Sequence, residues 1–525
     1  MLMLKRLALT GLFALTLFPL AAAQDADAPP DVWYNLDYEQ DGVYGMSVDR
    51  AYEALEGREP ARQIVVAVID SGVDITHEDL QGQIWTNDDI PGNGIDDDGN
   101  GYVDDTHGWN FIGGADGRNI EFDSFEIARE VAALRAQVAA EGTASLAPGD
   151  AERLEALEAE LAENRAEFEG ILGTLTGIQT AVQASDRIIR THLRHDTYET
   201  AELEAIDTSD TEVLQARDML LFLAANGLTL SDLDSQVDDV RGRLEYGYNP
   251  DFDPRSIVGD NYGDTSERIY GNADVTGPDA SHGTSVAGVI AAVRGNGLGI
   301  DGVASNVLIM PIRTVPNGDE RDKDVANAIR YAVDNGAHIV NMSFGKGYSP
   351  YKGAVDEAVR YAEEHGVLLV HAAGNGGADL ATQSNFPNRL FDGGQEAGNW
   401  LEVGASRWDD ELVASFSNYG QMRVDVFAPG ASIYSLNPEN EYGSHDGTSL
   451  AAPLVSGVAA LLMAYFPELD ATGVHRILVE SAVRHSQNVP RPGADGETVG
   501  FGQLSISGGI INAYEAVRLA ERASN

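Results

Sequence analysis

QIVVAVIDSG, residues 63–72, is an unbroken β-branched run that ends on Asp-Ser-Gly. A strand with one face in water alternates apolar and polar residues. This run does not alternate, so it reads as a strand buried on both faces that reaches a loop at Asp70. Similar runs recur at VLIMPIR (307–313), AHIVNMSFG (337–345), GVLLVHAAGN (366–375), WLEVGAS (400–406) and VDVFAPG (424–430). Helix-like stretches such as DVANAIRYAVDNG (324–336) and GAVDEAVRYAEEHG (353–366) separate several of them. Strand, helix, strand repetition of this kind predicts an α/β fold, a parallel sheet with helices on both faces. Ligands of such sheets bind beyond the carboxyl ends of the strands, where Asp70, Ser343 and Asn375 fall.

From about Ile120 to Gly247 the buried runs stop and the pattern turns helical. SFEIAREVAALRAQVAAEG (124–142), GDAERLEALEAELAENRAEFEG (149–170), TSDTEVLQARDMLLFLAANG (208–227) and SDLDSQVDDVRGRLEYG (231–247) follow one another, with Asp150, Ser209 and Ser231 placed to cap helices. Leu154, Leu157, Leu161, Phe168, Ile171, Leu175, Ile178 and Val182 form a narrow seam at spacings of three and four. Gly170, Gly173 and Gly177 interrupt that face, each costing about 1 kcal/mol against alanine, and predict a kink, a break or a close helix crossing. The expected organisation is therefore an α/β domain of residues 50–120 and 248–525. Into it an all-helical domain of residues 121–247, a hairpin or small bundle, is inserted.

The 525 residues contain no cysteine and carry a formal net charge of -50. Such acidity argues against nucleic acid and against an anionic membrane surface as partners, since both require fields of Lys and Arg. Residues 1–23 combine Lys5 and Arg6 with the apolar run Leu7–Leu20 and end in three alanines, the pattern of a cleavable export signal. That run is too short for a stable membrane span. A polar lead-in, 24–49, follows it. The chain is thus expected to be exported, periplasmic or extracellular, and to be held together without disulfides. Nothing in the sequence fixes an oligomeric state.

Three short motifs carry hydroxyl chemistry, in the order Asp, His, Ser. VAVIDSGVD holds Asp70, SHGTSVAGVIAA holds His282 and HDGTSLAAPLVSGVAALL holds Ser449. Hydrolysis of an amide near neutral pH needs a nucleophile stronger than a free hydroxyl. A serine with a histidine base, itself oriented by a buried carboxylate, supplies one. His282 and Ser449 both open small, apolar runs that read as buried helices, whose N-termini favour developing negative charge. A fourth motif, HAAGNGG (371–377), places Asn375 at a strand end. Its amide and the Ser449 N–H are candidate oxyanion donors, each worth about 3–4 kcal/mol to a transition state. Ser343, Phe344 and Gly345 would offer an exposed edge for an extended peptide, with Gly345 leaving room for a side chain.

These four motifs, in this order, resemble the subtilisin-like serine peptidases, the subtilases, over residues 50–119 and 249–525. The resemblance implies a subtilase-type parallel sheet, endopeptidase activity on protein or peptide substrates, and the roles given above to Asp70, His282, Asn375 and Ser449. It also implies that the stretch RTVPNGDERDKDVANA (313–328) forms the opposite wall of a substrate cleft, where Glu320, Arg321 and Asp322 shape specificity or stand as a solvated loop. Ser285, Leu450 and Leu454 depart from the usual pattern, which has His, Met and His there. The stretch Gln24–Gly57 is shorter than the usual inhibitory prodomain.

NGIDDDGNGYVDD (93–105) alternates oxygen donors as a calcium loop does. Asp96, Asp98, Asn100, the Tyr102 carbonyl and Asp104 are the candidate ligands, with His107 at the position where an EF-hand has its bidentate Glu. Calcium is the expected cofactor, and by resemblance its role is structural. The competing reading is a non-hydrolytic, calcium-dependent binding or adhesion protein on a decayed peptidase scaffold. Its binding surface would be the helical insert.

Overall fold

The computed structural model describes residues 29–142, 146–226, 228–494 and 496–524; the 1–23 segment read as an export signal lies outside them. The chain forms two compact units. One contains the described residues up to Glu121 together with those from Pro254 onward, and the other is Phe122–Asp253.

The first unit is built on a sheet whose nine described strands run in the order Val483–Arg484, Gly509–Ile510, Val426–Pro429, Trp400–Ser406, Leu368–Ala372, Ile339–Met342, Ile64–Asp70, Val307–Arg313 and Trp109–Asn110. Every pairing is parallel except that between the first two. Both faces of the sheet are covered, and strand Ile64–Asp70 shows why its sequence does not alternate. Ile64, Val66 and Val68 enter one apolar cluster with helices Ser281–Ala291 and Thr448–Tyr465, whereas Ala67 and Ile69 enter another with helices Asp322–Asp334 and Lys352–Glu364. Successive side chains point to opposite faces, and here each face is interior.

From Ile64–Asp70 the chain passes to Val307–Arg313 on one side and then to Ile339–Met342 on the other. The strand order reverses at that point, so the crevice at the carboxyl ends opens beside Asp70. The lead-in belongs to this unit: Trp33 and Tyr34 are fully buried, with Trp33 Nε1 donating to the Ser432 carbonyl. The described lysines are likewise drawn inward, Lys323 to Asp260 and Glu267, Lys346 to Asp322, and Lys352 to Asp356. Helix Thr448–Tyr465 is long and apolar enough to cross a membrane, but it is buried over 94 % of its length as the central helix of this core.

The second unit is helical: Glu126–Glu141, Asp150–Leu193, Thr200–Glu204, Thr211–Ala225 and Leu230–Gly242, closed by a π turn at Arg243–Gly247. Its two ends are clasped, with Phe122 stacked on Tyr246 at 4.5 Å and Phe125 N–H donating to the Gly247 carbonyl. The sequence reading differs from this structure in two details. Helix Asp150–Leu193 runs for 44 residues without a break through Gly170, Gly173 and Gly177, and a Cβ at any of the three would meet nothing within 4 Å. Glycine weakens a helix but leaves its hydrogen-bond ladder intact. Packing of the opposite face against Thr211–Ala225 and Leu230–Gly242 carries the helix through. The capping residues are Gly149, Asp210 and Thr229, each near but not at the expected Asp150, Ser209 and Ser231.

Candidate active site

Asp70 is the last residue of its strand and is 1 % exposed. Its Oδ1 accepts from Ser71 N–H and lies 2.7 Å from His282 Nδ1, across 212 positions of sequence. The approach is close because residue 283 is glycine. A Cβ there would lie 2.1 Å from the Gly72 carbonyl oxygen and 3.2 Å from Asp70 Cβ. Helix Ser281–Ala291 therefore rests its first turn directly on the turn after Asp70. The His282 side chain remains 43 % exposed, so the far side of the ring faces solvent. Crowding of the ring favours the neutral form, but the adjacent carboxylate and its hydrogen bond outweigh that, and the His282 pKa stands above its ordinary value.

Ser449 occupies the second position of helix Thr448–Tyr465, in the first turn, where backbone N–H groups have no intrahelical acceptor. Pro453 follows four residues later and has no N–H to give to the Ser449 carbonyl. That carbonyl instead accepts from Ser343 Oγ at 2.8 Å. Ser343 Oγ accepts from Asn341 Nδ2, and Asn341 Oδ1 accepts from Ser456 Oγ, about two turns after Ser449 on the same helix. This buried chain of side chains pins the helix that bears Ser449 to the end of strand Ile339–Met342. Ser343, expected at a substrate edge, thus has its hydroxyl spent on positioning Ser449.

Asn375 is exposed, and its Oδ1 accepts both the N–H and the hydroxyl of Thr448, at 2.9 Å each. With its oxygen engaged, the amide presents Nδ2 as the outward donor. Gly447 completes the arrangement, since a Cβ there would stand 2.6 Å from Ser449 Oγ and 3.5 Å from Asn375 Nδ2. The serine oxygen and the amide nitrogen therefore border one small space that glycine leaves open. Phe344 is half-buried and Gly345 exposed. The room expected over Gly345 is filled by Asn385, whose Oδ1 lies 2.5 Å from the glycine's Cβ position and whose Nδ2 donates to the carbonyls of Ala372 and Ala373. Beyond Asn385 lies a cavity of about 180 Å³ bordered by Gln383, Asn388, Arg389 and Glu402. Glu320, Arg321 and Asp322 are buried rather than solvated, with Asp322 paired to Lys346.

His445 is a residue the motifs did not flag. It stands four positions before Ser449, with Nε2 3.1 Å from Ser285 Oγ and 2.9 Å from Asn437 Oδ1. An imidazole from a neighbouring hairpin thus approaches Ser285, the position where the related pattern has a second histidine. Burial and the nearby His282 both lower its pKa. Only sequence proximity to Ser449 could have pointed to it.

In the acidic loop, carboxylate oxygens of Asp89, Asp96 and Asp98 lie within 4.8 Å of one another. Asp89 is 4 % exposed, and its Oδ2 has no hydrogen-bond partner among the described residues. Burial raises the Asp98 pKa, as do the charges of Asp89 and Asp96. Three hard oxygen donors at close range with one buried oxygen unpartnered fit a calcium ion. Asn100 and Tyr102 are engaged within the loop, Asn100 Oδ1 accepting from Tyr102 N–H, while Asp104 turns away to accept the N–H groups of Asn93 and Gly94. Asp89 lies upstream of the repeating spacing, which is why the loop pattern alone did not include it.

The family model described as the Subtilase family matches residues 61–502. The chain is similar to a thermophilic serine proteinase of Bacillus sp. (strain AK1), with 35 % identity over 270 residues, 51 % of this chain and 58 % of that protein. It is similar to alkaline elastase YaB of Bacillus sp. (strain YaB), with 35 % identity over 45 % of this chain and 55 % of that one. Thermitase of Thermoactinomyces vulgaris is 37 % identical over 39 % of this chain and 71 % of its own length. The chain thus spans little more than half the length of the first two.

Proposed function

The chain belongs to the subtilase family, the subtilisin-like serine peptidases, and from that membership we propose that it is an exported serine endopeptidase acting through Asp70, His282 and Ser449. The observation that carries this reading is the buried Asp70 carboxylate bonded to Nδ1 of a half-exposed His282. Held in that tautomer, His282 presents Nε2 as a base. Ser449 Oγ attacks the scissile carbonyl carbon while Nε2 takes its proton, and Asp70 stabilises the imidazolium. Asn375 Nδ2 and the Ser449 N–H receive the negative charge on the tetrahedral oxygen. His282 then gives its proton to the leaving amine. Water, deprotonated by the same nitrogen, releases the acyl group from Ser449. An extended substrate lies along Ser343–Gly345 by backbone pairing. Asp89, Asp96 and Asp98 would hold a structural calcium, which supplies loop rigidity and no chemistry.

A fluorophosphonate probe tests the reading. The full-length protein is expected to be labelled at Ser449 and to cut casein, with both lost in Ser449→Ala. Labelling no greater than that of the Ser449→Ala control would sink the peptidase assignment and favour a binding protein on the same scaffold.

A further inference from the structure

Asn375 is followed by Gly376, and that pair has a chemistry which hydrolysis does not use. Glycine puts no Cβ between its nitrogen and the preceding side chain, so an Asn-Gly pair is the dipeptide most open to attack by its own backbone. We propose that Asn375 is a latent deamidation site at the heart of the active site, and that Asn418 is the positioning residue that keeps it closed. Its consequence for activity rests on the oxyanion role proposed above; the modification itself does not.

Asn375 is exposed, so water and base reach it. Asn418 is 7 % exposed and clasps the loop from behind through four bonds. Its Oδ1 accepts Gly376 N–H at 3.0 Å and Ala378 N–H at 2.8 Å, its Nδ2 donates to the Ala373 carbonyl at 2.7 Å, and its own N–H donates to the Gly374 carbonyl. The clasp is anchored to the sheet, because Ser417 Oγ donates to the Asn418 carbonyl and accepts from Ala405 N–H. On the other side, Thr448 holds the Asn375 amide oxygen by two bonds.

Deamidation needs both holds released. Base removes the Gly376 amide proton, and the nitrogen attacks Asn375 Cγ, forming a Cγ–N bond. The Cγ–Nδ2 bond breaks, and the nitrogen leaves as ammonia after taking a proton from water. A second water opens the resulting ring to aspartate or isoaspartate. No oxidant or reductant takes part. While Gly376 N–H is bonded to Asn418 and Asn375 Cγ is held by Thr448, the nitrogen is neither free to lose its proton nor aligned with the carbon. The product would replace an oxyanion donor by a carboxylate.

The test uses the full chain with Ser449→Ala, which removes self-digestion, incubated at mildly alkaline pH and followed by peptide mapping with mass spectrometry. Adding Asn418→Ala is expected to speed deamidation at Asn375 by about tenfold, the scale of one good hydrogen bond, and to leave Asn335–Gly336 unchanged. Asn418→Asp keeps an oxygen facing Gly376 N–H and is expected to remain near the parent. Equal rates in the parent and in folded Asn418→Ala, or an Asn418→Asp rate matching Asn418→Ala, would overturn the proposal. Should Asn418→Ala fail to fold, hydrogen exchange of the Gly376 amide in the parent decides. Protection supports the clasp, and exchange as fast as in a free HAAGNGG peptide refutes it. In the active enzyme, deamidation without loss of peptidase activity would remove the oxyanion role of Asn375 and leave the mass result standing, so the two readings fail separately.

Discussion

In the sheet unit, helix Thr448–Tyr465 is buried from Thr448 to Ala464 and strand Ile64–Asp70 is interior on both faces. In the helical unit, the 44 residues of Asp150–Leu193 bury only Leu157, Leu161, Leu175, Val182, Ser185 and Ile189. One element is fixed from every direction, the other along a single seam. Chemistry can reside only in the first kind of element. Donor and acceptor atoms hold their geometry to tenths of an ångström only when their supporting side chains are themselves packed and bonded, as Asn341, Ser343 and Ser456 are. A seam of apolar contacts keeps a helix in place without fixing any one polar atom, and it leaves a long solvated face.

The largest expected effect lies at the most over-determined point of the sheet unit. Asp70→Asn should lower kcat by about 10⁴ through the wrong imidazole tautomer, with the fold retained. The same change sharpens the electrostatic claim. Because Asp70 raises the His282 pKa, the acidic limb of kcat/KM against pH should lie above the ordinary histidine value in the parent and move to lower pH in Asp70→Asn. The raised value also stabilises the folded state. That stabilisation is fully present below the unfolded histidine pKa and is lost as pH rises through the folded one. An acidic limb that stays in place in Asp70→Asn would remove Asp70 as its cause.

A smaller effect is expected at the acidic loop, which also belongs to the sheet unit. Chelation, or Asp89→Asn, should lower the melting temperature by several degrees and leave kcat at low temperature unchanged. Calcium at a hundred times its Kd contributes about 2.7 kcal/mol. A melting temperature indifferent to both chelator and Asp89→Asn would show that the three carboxylates hold no ion.

The smallest effect on chemistry is expected from the other side of the comparison. Replacing Phe122–Asp253 by a short Gly/Ser bridge should leave cleavage of a short chromogenic peptide within a few-fold of the parent, since Asp70, His282, Asn375 and Ser449 all lie in the sheet unit. A loss as deep as that of Asp70→Asn, in a chain that still melts cooperatively, would break the division of labour between the two units.

Strand runs were legible because burial on both faces removes polar residues from every position, and that is a property of composition along a line. The residues of the four motifs were legible for a similar reason: each sits beside the glycines and apolar runs that position it, so His282 is read with Gly283 and Ser449 with Gly447. The hydrogen bonds of Ser285, Asn418 and Thr448 carry no such local mark. Their partners, His445, Gly376 and Asn375, lie tens to more than a hundred positions away, and a hydrogen bond across that distance leaves no periodicity to read. The helical unit shows the converse. Its apolar seam could be read from spacing, but glycine cost alone predicted a kink, a break or a close crossing that packing of the opposite face overrides. The α/β class, the order of the chemical groups and the acidic loop can be read along the chain, because each is written in contiguous residues. It takes the folded chain to bring Asp89 to Asp96 and Asp98, to fill the space over Gly345 with Asn385, and to set Asn418 against the loop of Asn375. Side-chain atoms from distant segments become neighbours only once the sheet has brought their strand ends together.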